Sequence, residues 1–244
     1  MSYLNYDVLD GASAIGFQSQ APYPWVRLQD TLTEDGWRRL RENMPDIAEF
    51  NIMKGVKRAY GQAPHDRGIL HYCEGVDYPA AWKEFIDELQ GDRYKQFVRR
   101  MLQLPPDKEI ILTMEWYYAW QGCSVSPHCD ARRKAATHIF FFADDSDWPR
   151  AWGGDILILD DEGRWKAHSA PTFDDLKVAA SLDLRMNASC LFARTEHSWH
   201  GVRPLTAPSA DVFRKLFIVT VNLPTLQVIW RRMRGKDPDG VPYR

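Results

Sequence analysis

Ser126–Asp130 reads SPHCD, and Ser198–Gly201 reads SWHG. His128 and Asp130 stand two positions apart, which on an extended segment puts both side chains on one face. Pro127 restrains Ser126 toward extended geometry and so helps fix how the pair is presented. His200, much later in the chain, can close a set of three donors. Two imidazoles and one carboxylate suit non-haem Fe(II) and leave coordination positions open for other ligands. Alone, an H-x-D triplet is as well read as a surface histidine beside an ordinary acid. Arg214 opens the apolar run RKLFIVTVN. A guanidinium carried inward on such a strand must find an anion, since burying it unpaired is costly, and its planar fork matches a carboxylate. The competing reading is an edge arginine paired with a nearby acid or solvated.

The elements that must position these residues fall into two halves. Residues 1–28 are mixed and turn-rich. Thr33 is suited to cap a helix through Trp37 and Leu40 toward Met44. A second helical stretch runs from Ala80 to Met101, with Trp82, Phe85, Ile86 and Leu89 on one face. Tyr94, Phe97, Val98 and Met101 continue that face beyond Gly91. Residues 45–79 read as long loops with a short strand near Ile69–Tyr72. After Pro105 and Pro106 the pattern changes to strands: Ile110–Trp120, Thr137–Ala143, Asp155–Leu159, Ser189–Ala193 and Lys215–Val221. The expected architecture is mainly β with N-terminal helices, the β part a sandwich or open barrel. One domain is expected over 1–244, with helical and loop support in 1–105, a β core in 106–222 and a C-terminal extension in 223–244.

Composition bounds the function. The chain has 244 residues and a formal net charge of -2, which argues against a dedicated nucleic-acid binder. There is no long apolar span and no basic-then-apolar leader, so neither membrane insertion nor export is expected. The four cysteines, Cys73, Cys123, Cys129 and Cys190, form no C-x-x-C pair, and a reducing cytoplasm is the simplest setting. Six aromatics, Tyr117, Tyr118, Trp120, Trp148, Trp152 and Trp165, could wall an apolar cavity. At least half of them are expected in the core instead.

In order along the chain stand YYAWQGCSVSPHCD, HIFFFA, WGGDILIL, SWHGVRPL and RKLFIVTVN. Over roughly Ile110–Asn222 this series resembles the Fe(II)- and 2-oxoglutarate-dependent oxygenases, in particular their prolyl-4-hydroxylase-like branch. The resemblance implies a double-stranded β-helix core of the jelly-roll or cupin type, with the helices packed on its larger sheet. It implies iron bound by His128, Asp130 and His200, with 2-oxoglutarate and O2 as cosubstrates, and Arg214 paired with the distal carboxylate of 2-oxoglutarate. It places Tyr118 near the cavity. Some relatives carry a tyrosine in the HIFFFA strand as a second contact to that carboxylate. Here the strand offers phenylalanines, so His138, Thr137, Tyr118 or Thr220 stands in, or no second contact exists. His138 is equally well read as a satisfied core histidine. His197 is the local competitor of His200, and Arg203 the alternative cation, for the cosubstrate or for a substrate carboxylate.

The implied reaction is oxidation of a C–H bond with release of succinate and CO2. A carboxylate at position 130 fills the place that related halogenases leave to chloride, which turns the expectation from halogenation to hydroxylation. Desaturation, epoxidation and ring formation stay open. The favoured substrate is a small metabolite or natural-product intermediate, with a peptide or protein side chain as the alternative. A non-catalytic β-sandwich binding module is the reading from a different class. Oligomeric state is not legible. Segments Asn51–Asp77, Asp144–Trp152, Gly163–Leu182 and Pro204–Val212 are expected at the substrate entrance. Gly163–Leu182 is either a lid or a solvent-facing insertion.

Overall fold

The period-2 alternation of the C-terminal half is what the fold is built on. The computed structural model describes residues 2–238 and 240. Eight strands run from β4 to β11: β4 (Ile111–Ala119), β5 (Val125–His128), β6 (Lys134–Phe141), β7 (Ile156–Asp160), β8 (Lys177–Leu182), β9 (Ser189–Ala193), β10 (His200–Val202) and β11 (Arg214–Asn222). They are preceded by β1 (Trp25–Leu28), β2 (Asn51–Met53) and β3 (Arg67–His71). One sheet has the order β1-β9-β6-β11-β4-β3-β2, the other β5-β10-β7-β8. The chain passes back and forth between them: β4 in the large sheet, β5 in the small, β6 in the large, β7 and β8 in the small, then β9, β10 and β11 alternately. Every pairing is antiparallel. This winding is a double-stranded β-helix, the expected core.

The large sheet has two faces of different use. On β4, Leu112, Met114, Trp116 and Tyr118 join one apolar cluster, while Tyr117 and Ala119 join another. The same division holds on β11, where Phe217, Val219 and Val221 face one way and Leu216 and Ile218 the other. The first face is covered by helices. They are α1 (Tyr6–Gly11), α2 (Ala14–Gln18), α3 (Glu34–Glu42), α4 (Ala80–Gln90) and α5 (Asp92–Met101). Thr33 caps α3 as expected, accepting from the Gly36 N–H at 3.1 Å. The long helix expected over Ala80–Met101 is two helices broken at Gly91, whose extended ψ ends α4 and starts α5. Trp82 on α4 meets Trp116, Phe142 and Phe217 with ring centroids 4.9–5.3 Å apart. Burying each such side chain stabilises the fold by about 1.5–3 kcal/mol, so this face is the main anchor of the sheet.

The second face looks onto the small sheet, and a cavity lies between them. Strands β5, β8 and β10 are short or punctuated and fall outside the strand runs expected from periodicity. Residues 1–28 contain α1, α2 and β1 rather than irregular chain. In the C-terminal extension α6 (Leu226–Met233) is capped by Thr225. Residues 239 and 241–244 of that extension lie outside the described residues.

Candidate active site

The two histidines meet because two strands pair. β5 and β10 are antiparallel neighbours with His128 opposite His200, and their ring centroids are 4.3 Å apart. Each imidazole is tied back in the same way. The Nδ1 atom of His128 lies 3.0 Å from the Ser126 carbonyl oxygen, and that of His200 lies 2.9 Å from the Ser198 carbonyl oxygen. A neutral ring donating from Nδ1 presents Nε2 as a free donor atom to a metal. Burial holds both rings below the usual histidine range, so both are neutral near pH 7. Asp130 follows the end of β5. Its Oδ2 accepts from Thr137 Oγ1 at 2.7 Å and its Oδ1 from Lys134 Nζ at 2.9 Å. Burial opposes its ionisation, but the charge and hydrogen bond of Lys134 act against burial, and the carboxyl is held far below the ordinary range. Ligand atoms of His128, Asp130 and His200 all lie within 4.8 Å of one another. Two neutral imidazoles and a carboxylate converging this closely fit a divalent first-row metal such as Fe(II). His197 does not join them. It pairs with the buried Asp161 at 3.0 Å.

Arg214 shares the cavity with the three donors and is 2% exposed. Its Nη2 donates to the Gly154 carbonyl oxygen, and its guanidinium lies 5.1 Å from the centre of the Phe141 ring. No described carboxylate forms an ion pair with it, and its Nε has no hydrogen-bond partner. Burial lowers its pKa to about 10, which still leaves it charged. An unpaired buried guanidinium is an anion site by its chemistry. Gly153 and Gly154 take φ of 76° and 105°, a turn that glycine allows at low cost.

The cavity has a volume of about 780 Å³, the size of a small-molecule site. Tyr117, Thr137, Leu216 and Thr220 line it beside the triad. His65, Arg58 and Arg67 line it from the loop between β2 and β3 and from β3 itself. His65 lies edge-on to His128 at 4.8 Å and reaches Ser126 Oγ at 2.9 Å. Glu115 and His71 pair at 3.2 Å in the same wall.

Two expected site residues belong elsewhere. Tyr118 points to the helical face, donating its hydroxyl to the Pro45 carbonyl oxygen at 2.8 Å and stacking on Phe50 at 4.2 Å. His138 is fully buried on the same side. Its Nδ1 lies 3.0 Å from Tyr94 Oη and its Nε2 2.9 Å from Ser189 Oγ. Neither lines the cavity. Both occupy the wrong parity of their strands, and the neighbouring odd positions, Tyr117 and Thr137, face inward. Of the six aromatics considered for the cavity wall, Tyr117 alone lines it. Arg203 is exposed and stacks over Phe173 at 4.8 Å.

The four entrance segments divide similarly. The first, through Asn51–Met53, Arg58, His65 and Arg67, supplies cavity lining. The other three supply none among the described residues. Segment Gly163–Leu182 contains β8, the outer strand of the small sheet. It touches the entrance loop where Gln62 Nε2 donates to the Ser169 carbonyl oxygen at 3.0 Å and His168 stacks on Tyr60 at 4.9 Å.

No family model matches the sequence, and no curated relative matches it. Solved structures do. A Pseudomonas putida prolyl-4-hydroxylase superposes with a TM-score of 0.59 at 14% identity, covering 87% of this chain and 99% of that one. The chain has the fold of this enzyme. A Trichoplax adhaerens prolyl hydroxylase, solved with a hypoxia-inducible-factor peptide fragment, gives 0.59 at 13% identity, covering 86% of each chain. The non-haem alpha-ketoglutarate-dependent carbocyclase SnoK from nogalamycin biosynthesis gives 0.59 at 12% identity, covering 97% of this chain and 95% of that one. These neighbours carry different chemistries on one scaffold, so the choice among them lies in the cavity residues of this chain. No helix among the described residues is long and apolar enough to cross a membrane.

Proposed function

We propose that the protein is an Fe(II)- and 2-oxoglutarate-dependent dioxygenase that hydroxylates a C–H bond of a small metabolite or natural-product intermediate. The observation that carries this reading is one cavity holding both His128, Asp130 and His200 and a buried arginine that lacks an acid partner. Bound ferrous iron supplies the redox chemistry that couples O2 and decarboxylation of 2-oxoglutarate, giving succinate and CO2, to oxidation of the substrate.

The residues divide the remaining work. His128, Asp130 and His200 would hold the metal through two imidazole nitrogens and a carboxylate oxygen. Ser126 and Ser198 hold the imidazoles through their carbonyls, and Thr137 and Lys134 fix the carboxylate. Arg214 receives the distal carboxylate of 2-oxoglutarate in a charge-assisted pair. Thr137 is committed to Asp130. Thr220 stands six positions along β11 from Arg214, which at about 3.3 Å per residue is too far to share one carboxylate. Tyr117 is the hydroxyl left near Arg214. Its pKa is raised to about 12 by burial, against the opposing charges of Arg67 and Arg214, so it acts as a neutral donor.

The test is anaerobic titration with Fe(II) and then 2-oxoglutarate. One strong metal site per chain and a visible metal-to-ligand charge-transfer band are expected. In air the complex should release succinate, and a screen of metabolites and peptides should find one that gains an oxygen atom. His128→Ala, Asp130→Ala and His200→Ala should each lose metal. Arg214→Ala should keep metal and lose about 1.5–3 kcal/mol of cosubstrate binding. Folded, iron-loaded protein that forms no such band and no succinate would instead be a binding module. Turnover of peptides in preference to metabolites would move the substrate to the second class.

A further inference from the structure

The cavity holds more positive charge than the proposed cofactors use. Lys134 is spent on Asp130 at 2.9 Å, and His71 on Glu115 at 3.2 Å. Arg214 serves the distal carboxylate of 2-oxoglutarate in the reading above. Arg133 also lines the cavity and has a partner of its own, which leaves Arg58 and Arg67. Both line the cavity and both are half-buried. The Nε of Arg58 donates to Gln62 Oε1 at 3.3 Å, and Nη1 of Arg67 donates to the His65 carbonyl oxygen at 2.8 Å. Neither forms an ion pair with a described carboxylate.

Both come from one stretch of chain and line the same wall: Arg67 is tied to the His65 carbonyl and Arg58 to Gln62, three positions before His65, which itself lines the cavity. His65 in turn packs edge-on against His128. Two half-buried guanidiniums in one cavity wall, neither in an ion pair with a described carboxylate, are better satisfied when an anion arrives between them. Arg67 is fixed from below by β3, which pairs with β4 so that Ile69 lies opposite Tyr117. Its guanidinium lies 5.8 Å from the Tyr117 ring centre. Arg58 comes from the entrance loop. One cation thus stands on the sheet and the other on the loop between β2 and β3 that lines the cavity.

We infer that Arg58 and Arg67 form an anion clamp beside the metal triad, and that the substrate is an acidic small molecule bound there through a carboxylate or phosphate group. The inference deepens the function proposed above and rests on it. The paired forks suit either oxyanion. The clamp sets the orientation of the substrate: its anionic end lies toward the β2–β3 side, and its reacting carbon reaches from there toward the triad. It also gives specificity, because a neutral analogue would leave two guanidiniums facing each other in a partly desolvated wall.

The experiment uses full-length protein loaded with Mn(II), a redox-inert substitute, and 2-oxoglutarate. Phenylacetate, phenyl phosphate and neutral phenylacetamide are titrated separately by calorimetry, and again without 2-oxoglutarate. At least one anion should bind and the amide should bind at least about ten-fold more weakly. The tighter of the two anions names the group. Arg58→Gln and Arg67→Gln should each weaken the anion at least about ten-fold, with 2-oxoglutarate affinity within about two-fold of wild type, which also shows that the variants are folded. Equal binding of the amide, no anion binding, or unchanged anion affinity in both variants would overturn the clamp. A loss of 2-oxoglutarate affinity as large as in Arg214→Ala would assign these arginines to the cosubstrate and also overturn it. Failure of wild-type protein to bind 2-oxoglutarate would count against the oxygenase reading alone, and the titrations without it would still decide the clamp.

Discussion

Gly154 leaves open the space that the side chain of Arg214 fills. A Cβ added at Gly154 would lie 2.6 Å from Nε and 2.9 Å from Cδ of Arg214. The glycine also has φ of 105°, which L side chains rarely adopt. The loop before β7 and the first residue of β11 are therefore one device, and the glycine is the part that lets the guanidinium lie flat against the chain. Gly154→Ala should displace the arginine and strain the turn. The expected result is a stability loss of about 1–3 kcal/mol in denaturant unfolding, with weakened 2-oxoglutarate binding and retained metal binding. Unchanged cosubstrate affinity would separate the glycine from the anion site.

Thr137 is the positioning residue for Asp130. Its hydroxyl donates 2.7 Å to Oδ2, while Lys134 takes Oδ1. Removing the hydroxyl frees the carboxylate to rotate without removing a metal donor. Thr137→Val should lower metal affinity about 10–100-fold, while Thr137→Ser should restore most of it. The metal titration reads both. Because Thr137→Val keeps the β-branched shape, circular dichroism and the unfolding midpoint should change little.

The candidate metal triad was legible because its residue types are rare in combination and its spacing is local: H-x-D in an extended segment, then a histidine at a strand start. Arg214 was legible because a charge opening an apolar strand needs an explanation. Helices α3, α4 and α5 followed from 3.6-residue periodicity, although Gly91 divides the longer stretch, whereas the short α1 and α2 did not. Which face of each strand looks inward was harder. Tyr117 and Tyr118 are adjacent tyrosines in the second half of β4, where both faces are buried. Thr113 and Glu115, earlier in that strand, alternate with Leu112 and Met114 and set the parity that puts Tyr117 on the cavity face. Thr137 and His138 are adjacent polar residues on a strand buried on both faces, so the sequence leaves either free to turn inward. Arg58 and His65 had no such signal. They lie in an irregular loop, and only the closure of β2 on β3 brings them to the triad.

That division between faces makes a paired prediction. Tyr118→Phe removes a hydrogen bond to the Pro45 carbonyl oxygen and nothing in the cavity. It should cost about 0.5–1.5 kcal/mol in stability and leave cosubstrate affinity unchanged. Tyr117→Phe should do the reverse, weakening 2-oxoglutarate with little effect on unfolding. Measuring both properties on both variants checks the assignment, and the opposite pattern would restore Tyr118 to the site.

His138 should act as an acid-sensitive structural residue. It sits in a buried chain that runs from Tyr94 Oη through the imidazole to Ser189 Oγ and on to Thr31 Oγ1 at 2.7 Å. Burial lowers its pKa to about 3, against about 6.5 in the unfolded chain. The unfolded state therefore takes up a proton first as pH falls. The stability His138 contributes is complete above about pH 6.5 and is lost progressively down to about pH 3, by roughly 2–3 kcal/mol at pH 4.5. His138→Gln cannot titrate and keeps one donor and one acceptor. It should be less stable than wild type at neutral pH, and its stability should fall less steeply between pH 6.5 and pH 4.5. Metal affinity at pH 7 should match wild type. Equal acid slopes in the two proteins, followed by urea unfolding across that range, would remove His138 from the account.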